Sequence, residues 1–219
     1  DLFTLQWTFV VVSGIPPSIR ASYGMAADRG RLFVFGGNIA GPGSITTYEN
    51  DLYQLNLTTA TWTELNDKNT SGPRPTGRIA MGLVALEGKI YMFGGYGLAG
   101  YLNDLFVLDL VTLRWTDLSN AALVGSPPVP RYWHGFTTCY RRLFVFGGFT
   151  GYPGPRYLND LHQFDPTSMQ WTDLSGAISG DQNIPRDRHG FTSFEGRLFV
   201  FGGQDSSGGY RNDLLGIQA

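Results

Sequence analysis

The sequence predicts an all-β fold of four-stranded antiparallel blades that stack radially as in a β-propeller, and three observations support this. The 219 residues include 30 glycines and only 16% charged residues, which suits many short strands joined by tight turns. An apolar run ending in Gly-Gly returns four times, at intervals of 58, 53 and 55 residues. Each run is as long as a strand and too short for an ordinary helix. A repeated unit of this size favours a propeller.

The repeat has four markers that share one period. The apolar runs ending in Gly-Gly lie at 32–37, 90–95, 143–148 and 198–203. An Asn-Asp-Leu triplet follows each run, beginning at Asn50, Asn103, Asn159 and Asn212. A Trp follows the Asp of the first three triplets by 11 residues, at Trp62, Trp115 and Trp171, and Trp7 is a fourth near the start. An Arg that precedes a Gly by four residues opens every unit, at Arg20, Arg78, Arg131 and Arg186.

The third unit illustrates the four strands. Residues 136–139 predict strand one, and the continuous apolar run 143–146 predicts a strand two that is buried on both faces. Residues 161–164 alternate as strand three, and 169–174, with the Trp, form strand four after a turn that contains Pro166. Such a sheet has two apolar faces, so it must pack between neighbours. The Gly-Gly pair is expected where the chain leaves strand two with positive φ or in close contact with other backbone.

These residues resemble the kelch-repeat β-propeller family, within the galactose oxidase/kelch superfamily. The resemblance rests on the Gly-Gly pair that ends an apolar strand, the Asn-Asp-Leu triplet, the Trp and the aromatic residue in strand two, such as Tyr91 or Phe144. It covers essentially the whole chain and implies blades around a central channel. It also implies a protein-binding role, although a few relatives are enzymes.

The repeat boundaries divide the chain into one propeller domain or a part of one. Residues 1–19 are expected to be strand four of one blade, 20–77, 78–130 and 131–185 three complete blades, and 186–219 a partial blade. Since kelch rings usually have more blades, we expect this chain to be part of a six- or seven-bladed ring. The alternative is a closed four-bladed ring, in which the Trp7 strand completes the last blade.

Composition argues against several functional classes. A formal charge of -2 and a pI near 5.9 give no attraction to nucleic acid or to anionic membranes. No apolar run is long enough to span a bilayer, and the single Cys139 allows neither an internal disulfide nor a cysteine-based metal site. Neither a nucleophile elbow nor an HExxH motif occurs. We therefore expect no catalytic residues, no cofactor, no metal and no direct membrane insertion.

The binding face is predicted from the loops. In an antiparallel blade the turns one-to-two and three-to-four share one end, and they are short, such as Glu195-Gly196. The connections two-to-three and four-to-one share the other end and are long, such as 149–158 and 119–130. Because loops on a rigid scaffold carry function, we expect binding at this second end, here called the long-loop face.

Aromatic and Arg side chains dominate interface hot spots, and this guides the choice of anchors. The predicted partner-binding residues on the long-loop face are Tyr96, Phe149, Tyr152 and Arg156. The alternative is that they only cap the blades. A Tyr two residues before each Asn recurs too regularly for a specific anchor and predicts a structural role, at Tyr48, Tyr101, Tyr157 and Tyr210.

Two further sets recur at the start of strand one, which lines the channel in the kelch arrangement. Arg20, Arg78, Arg131 and Arg186 are predicted at the channel entrance. As an inward ring they would favour carboxylate ligands, but the favoured interpretation is that each hydrogen-bonds loop carbonyls or the Asp of a neighbouring blade. His134 and His189 share one repeat position, and with His162 on another strand a packing role is favoured over metal binding.

The sequence thus predicts a non-enzymatic scaffold that binds another protein, of unknown identity, within a larger chain or assembly. An extracellular adhesive or glycan-related propeller is an alternative, since Asn56 and Asn69 begin possible N-glycosylation triplets. A copper enzyme like galactose oxidase is a further alternative, although no matching motif allows its site to be carried over. The compartment stays open between a cytoplasmic or cytoskeletal location, which we favour, and an extracellular one.

Overall fold

The fold was analysed in a computed structural model, which describes residues 6–40, 46–119, 121–151, 153–154, 156–178 and 184–218. Strands are the main regular structure of these residues, and one 3-10 turn lies at Ser175–Ala177. In this part of the chain no helix is long and apolar enough to cross a membrane.

The strands form four successive blades. β1 (Ser13–Gly14) precedes a first blade of β2 (Gly24–Asp28), β3 (Arg31–Ala40), β4 (Thr46–Asn56) and β5 (Thr61–Leu65). β6 (Arg78–Ile79) precedes a second blade of β7 (Gly82–Leu86), β8 (Lys89–Gly97), β9 (Gly100–Asp109) and β10 (Arg114–Asp117). The third blade is β11 (Gly135–Cys139), β12 (Arg142–Thr150), β13 (Arg156–Asp165) and β14 (Gln170–Asp173). The fourth contains β15 (Arg186–Asp187), β16 (Gly190–Phe194), β17 (Arg197–Phe201), β18 (Gln204–Asp205) and β19 (Leu214–Gln218).

The order of strands within the sheets is that of an antiparallel meander. In the third blade it runs β11-β12-β13-β14, and in the fourth blade β16-β17-β19. The all-β, four-stranded kelch-type arrangement predicted from the sequence is thereby confirmed. In the fourth blade β19 forms the outer edge of the sheet in the described part of the chain.

In the first three blades the Gly-Gly pairs mark bulges, where the sequence predicted the end of strand two. β12 continues to Thr150, and its register with β13 shifts between Phe146 and Gly148. Both glycines of this pair have positive φ, +59° at Gly147 and +96° at Gly148, where a residue with Cβ is strained. A Cβ on Gly147 would also lie 2.9 Å from the carbonyl oxygen of Arg186 in the next blade. Strand two therefore bends at the bulge and continues to pair with strand three beyond the Gly-Gly pair. As a result, the two-to-three connections are shorter than predicted.

Adjacent blades pack through a glycine in strand one. A Cβ on Gly82 would lie 2.4 Å from the Cβ of Phe136 in the third blade, and one on Gly135 would lie 2.4 Å from the Cβ of Phe191 in the fourth. In the second and third blades the Trp of strand four is buried in the same interfaces, with Trp115 among first-blade residues and Trp171 among second-blade residues. Trp62 of the first blade is only partly buried. The core of the molecule thus lies between the blades as much as within them.

The two ends of this array differ from its interior. A Cβ on Gly190 would meet only the carbonyl oxygen of Phe201, in its own blade, at 3.8 Å. Residues 6–12 belong to no strand and Trp7 is fully exposed, while β1 pairs in parallel with β5 of the first blade. The assignment of residues 1–19 to strand four of a blade, the other repeat boundaries and the total number of blades in the ring stay predictions.

Candidate functional site

Seven aromatic side chains form one continuous surface at the long-loop end of the blades. They follow one another in contact from the first blade to the third, and all are partly exposed. This surface, here called the aromatic belt, consists of Tyr48, Tyr96, Tyr101, Tyr132, Trp133, Phe149 and Tyr157.

The centre of the belt lies where the second and third blades meet. The ring centroids of Tyr96 and Tyr101, on the facing ends of β8 and β9, are 5.1 Å apart with near-perpendicular planes. Tyr132 lies 5.6 Å from Tyr96 and 5.4 Å from Tyr101. Burial, with a smaller contribution from the nearby Tyr101, raises the pKa of Tyr132 to about 12. The hydroxyl of Tyr132 is therefore a neutral hydrogen-bonding group at physiological pH.

The belt continues on both sides of this centre. Tyr48 of the first blade contacts Tyr96 edge to face at 6.0 Å, and Phe149 contacts both Tyr132 and Tyr157 on the third blade. Such edge-to-face geometry is favourable for aromatic pairs and fixes the rings relative to one another. The surface is thus rigid before any partner arrives.

Trp133 ends the belt toward the fourth blade. Its ring stacks on Tyr132 at 4.2 Å, and the guanidinium of Arg188 lies 3.4 Å from its centroid. A cation this close to an indole face is a cation-π contact. Arg188 also hydrogen-bonds the side chain of Gln204. The result is a Tyr-Trp-Arg stack that joins the third blade to the fourth.

Backbone geometry at the start of strand one places this stack. Ser22, Ala80, Trp133 and Arg188 occupy one repeat position and all have φ between +51° and +56°. The N–H of each of the last three donates to the carbonyl oxygen of the preceding member, at 2.8 to 3.0 Å. This series ties the blades together at the long-loop end, and the side chain at this position can vary without disturbing it.

Asp187 is a buried carboxylate next to the stack. Its side chain is 2% exposed, and the nearest guanidinium nitrogen of Arg188 is 3.4 Å away. Burial raises the pKa of Asp187 to about 6, and Arg188 only partly offsets this. A carboxyl group that titrates near pH 6 therefore lies under the edge of the candidate surface.

The four predicted channel-entrance arginines are held in ion pairs. Arg131 is fully buried, and its Nη1 and Nη2 donate to Oδ1 and Oδ2 of Asp160, each at 2.7 Å. Its Nη1 also donates to the carbonyl oxygen of Gly147 at 2.9 Å. The other three units repeat this bidentate pairing, in Arg20–Asp51, Arg78–Asp104 and Arg186–Asp213. The sequence pointed to loop carbonyls or to the Asp of a neighbouring blade, and carbonyl contacts are present, as from Arg131 Nε to the carbonyl oxygen of Val129 at 3.1 Å. The Asp, however, belongs in each unit to the same blade as the Arg and comes from the Asn-Asp-Leu triplet. The position of these arginines at the entrance of a central channel stays a prediction, and binding of carboxylate ligands stays the less favoured alternative.

His134 and His189 pack between blades. The ring of His134 lies edge to face on Phe93 at 5.4 Å, and that of His189 on Phe146 at 5.2 Å. Burial lowers the pKa of His134 to about 3 and of His189 to about 4. Both rings are therefore neutral at physiological pH. His162 instead lies 2.9 Å from the Asp160 carboxylate, and no group of three or more His, Cys, Asp or Glu within the described ranges could hold a metal ion.

The predicted anchors fall in three places. Tyr96 and Phe149 both lie in the aromatic belt, joined through Tyr101 and Tyr132. Arg156 is exposed at the first position of β13, and Tyr152 lies outside the described residues. Sequence reasoning missed Tyr132, Trp133 and Arg188. The sequence did contain a signal for them. They lie one or two residues after the Arg that opens every unit, and the residue type at these positions differs from unit to unit.

The two possible glycosylation sites differ in exposure. Asn69 is exposed, and its Nδ2 donates to the carbonyl oxygen of Glu64 at 3.1 Å. Asn56 is partly buried, and its Oδ1 accepts the N–H groups of Thr58 and Thr59. Glycosylation at either site stays a prediction.

Comparisons with a family model and with individual known proteins agree with one another. The sequence model of the KLHDC2/KLHL20/DRC7 Kelch-repeats domain matches residues 1–203. Host cell factor of Drosophila melanogaster is 31% identical over 91% of this chain, and Host cell factor 1 of Homo sapiens is 32% identical over 91%. The chain spans only 14% and 10% of those two proteins. Kelch domain-containing protein 1 of Mus musculus is 30% identical over 90% of this chain, which spans 54% of it. The repeat, the blades and these matches agree, and the chain belongs to the kelch-repeat family of β-propellers.

Proposed function

We propose that this chain is a non-enzymatic protein-interaction scaffold that binds a partner protein through the aromatic belt. The observation that carries the proposal is the continuous contact of seven partly exposed aromatic rings, closed at one end by Arg188 stacked on Trp133. Trp, Tyr and Arg are the residue types that dominate the binding energy of interfaces. Rings already fixed against one another lose little conformational entropy when a partner docks.

The chemistry of the surface favours a protein over other ligands. The phenol and indole groups offer apolar area together with hydrogen-bonding tips, which suits the mixed surface of a partner protein. The guanidinium groups behind the belt are already paired with carboxylates, so they do not form a free anion site. The names of the relatives describe no reaction that residues on this surface would perform.

The orientation of the partner can be tested with the two lysines of the chain. Lys68 lies in the four-to-one loop 66–77, and Lys89 starts β8 at the short-turn end; both are exposed. A lysine-reactive cross-linker applied to the assembled complex should link the partner to Lys68 and leave Lys89 unlinked. Links from Lys89 alone would place the partner on the short-turn end and overturn the proposal.

The energetic contribution of the belt can be tested with Trp133→Ala. Alanine already stands at the equivalent position of the second blade, where Ala80 has φ +52°, so the backbone tolerates the change. Loss of a hot-spot Trp should weaken partner binding roughly 30-fold. Val111→Ala is the matched control, since Val111 is 85% exposed on the short-turn end. Equal affinities for Trp133→Ala and the parent chain would contradict the proposal.

A further inference from the structure

Three tyrosines at the centre of the aromatic belt form a compact cluster where the second and third blades meet. This cluster, here called the tyrosine triad, consists of Tyr96, Tyr101 and Tyr132, all partly exposed. Their ring centroids are 5.1, 5.4 and 5.6 Å apart. The ring plane of Tyr101 lies nearly perpendicular to those of Tyr96 and Tyr132, at 82° and 79°. Rings that cross in this way leave furrows between them instead of one flat face.

The polar tips of this cluster are hydrogen-bond donors that lack an acceptor. The hydroxyl groups of Tyr96, Tyr101 and Tyr132 make no hydrogen bond to another residue in the described part of the chain, and neither does the indole N–H of the adjacent Trp133. Burial raises the pKa of Tyr101 and of Tyr132, so both hydroxyls keep their protons at physiological pH. A partner that covers the triad must therefore supply acceptors, since a buried donor without one weakens binding.

The backbone beside the triad offers no free edge to a partner strand. The N–H and carbonyl groups of Tyr132 are both bonded to Phe149, at 3.1 and 3.0 Å. The N–H of Trp133 donates to the carbonyl oxygen of Ala80 at 2.9 Å, and its carbonyl accepts the N–H of Arg188 at 3.0 Å. Strand addition requires a row of unpaired backbone groups. A partner helix is no better suited, because its carbonyls are bonded within the helix except in the last turn.

The charged groups behind the triad are also engaged. Arg78 and Arg131, which open the second and third blades, are fully buried, and each forms a bidentate ion pair, with Asp104 and Asp160 respectively. Arg156, exposed at the first position of β13, is the cation that an acidic segment would use instead. The centre of the belt therefore presents apolar rings and neutral donors.

We propose that the tyrosine triad and Trp133 bind a proline-rich segment of the partner in the extended polyproline II conformation. Such binding rests on the proposed function, in which the aromatic belt is the docking surface. A polyproline II helix has no internal hydrogen bonds, so its carbonyl groups stay available as acceptors. Each proline adds a carbonyl acceptor without an N–H donor, which complements a surface of unpaired donors. Docking of such segments in aromatic-lined grooves is an established mode of recognition.

The surroundings of the triad suit a segment of this kind. A Cβ on Gly151 would lie 2.4 Å from Cε2 of Tyr101, so the two-to-three connection of the third blade packs directly on that ring. Phe149 lies 6.3 Å from the same ring, and Leu98, between Tyr96 and Tyr101 in sequence, is 94% exposed. Apolar groups thus accompany the donors. Both binding partners are preorganised, because proline restricts the segment and ring contacts restrict the triad, which limits the entropy lost on binding.

An unbiased peptide selection tests which kind of segment binds. A random dodecapeptide phage library is selected on the immobilised chain and counter-selected on the Trp133→Ala variant, so that only peptides that depend on the belt remain. We expect these peptides to be enriched in proline over the unselected library. Acidic peptides without proline, which would point to Arg156, or peptides of no common composition would overturn the proposal and leave the proposed function intact. A selection that retains no belt-dependent peptide would also overturn it, whereas the cross-links from Lys68 report separately on the proposed function.

Single donors test the mechanism of binding. The probe is a fluorescein-labelled peptide of ten prolines, and its affinity is measured by fluorescence anisotropy. Tyr132→Phe and Trp133→Phe each remove one donor and keep an aromatic ring, and each should weaken binding roughly 2- to 10-fold, as expected for one hydrogen bond. Tyr140→Phe is the matched control, since it removes a hydroxyl group from an exposed tyrosine on the short-turn end, and it should bind like the parent chain. Unchanged affinity in both donor variants, or equally tight binding of a labelled glycine-serine peptide of the same length, would contradict the proposal.

Discussion

The third and fourth blades carry the same markers, yet their surroundings differ. Trp171 closes the core of the third blade against the second, whereas the equivalent place in the fourth blade is a cavity. In the third blade Gly135 is covered by Phe191, and in the fourth Gly190 is open. In a repeat protein the stability of a unit is the sum of its own contribution and of its contacts with neighbours. The contrast predicts that contacts with the blades on either side supply much of the stability of the third blade.

The largest expected effect comes from making the third blade resemble the fourth. Trp171→Ala would leave a buried cavity among Phe93, Phe164 and their neighbours. Removal of a fully buried Trp costs about 3–5 kcal/mol of unfolding free energy. Equilibrium unfolding in urea at a dilution that keeps the chain monomeric would measure this loss.

Trp7→Ala is the internal control for that experiment. Trp7 has the same neighbours in sequence as Trp171 but is fully exposed, so its removal should leave the unfolding free energy within about 0.5 kcal/mol of the parent value. If Trp7→Ala and Trp171→Ala lowered the unfolding free energy by similar amounts, the Trp would contribute through its own strand alone. The difference in packing between the blades would then not affect stability.

The second expected effect is on the acid sensitivity of the unfolding free energy, which should arise at a covered interface between blades and not at an open face. His134 packs on Phe93, and its pKa of about 3 in the folded chain lies below the 6.5 of an exposed imidazole because of burial. Below pH 6.5 the unfolded chain therefore binds a proton that the folded chain does not. The free energy of unfolding decreases as the pH is lowered. His134→Phe should make the decline between pH 7 and pH 4.5 smaller by about 2–3 kcal/mol.

The matched control is Tyr23→Phe. Tyr23 holds the position of His134 in the first blade, where it is 44% exposed on the open face. This variant removes only a hydroxyl group and should reproduce the pH dependence of the parent chain in the same urea experiments. If His134→Phe retains the full decline, the acid sensitivity arises elsewhere in the molecule.

Asp187 holds in the fourth blade the repeat position of Tyr132 in the third, and it should give a pH response opposite to that of His134. The pKa of Asp187 is about 6 in the folded chain because of burial, above the 3.8 of an exposed carboxyl. Between pH 4 and pH 6 the folded chain therefore holds more protons than the unfolded chain, and the free energy of unfolding falls as pH rises. Asp187→Asn should stabilise the chain at pH 7 by about 1–3 kcal/mol and have no effect below pH 4.

Asp205 provides the contrast for this prediction. Hydrogen bonds from Ser207 lower the pKa of Asp205 to about 2, so its charged form is favoured in the folded chain. Asp205→Asn should therefore destabilise the chain at pH 7, and thermal melts at pH 4 and pH 7 would reveal the two opposite signs. A destabilising effect of Asp187→Asn at pH 7 would indicate that the contact with Arg188 outweighs the cost of burying the carboxylate.

The sequence predicted the blades well because the repeat is read locally. The apolar run of strand two, the turn at Pro166 and the Trp of strand four are each visible within a few residues. The belt was predicted only in part, because Tyr96 of the second unit and Phe149 of the third become one surface through Tyr132, at the start of the third unit. Contacts between units depend on how blades stack, and a single repeat does not contain that information.

The last expected effect is the most direct comparison of the two blades. Gly135 and Gly190 hold the same position in strand one, and neither has positive φ. Gly135→Ala would place a Cβ 2.4 Å from the Cβ of Phe191, so the fourth blade would have to move, at a cost of about 1–3 kcal/mol. Gly190→Ala meets no such contact and should leave the unfolding free energy of the monomer within about 0.5 kcal/mol of the parent value. If Gly190→Ala proved as costly as Gly135→Ala, the outer face of the fourth blade would be packed in solution, and its contrast with the third blade would disappear.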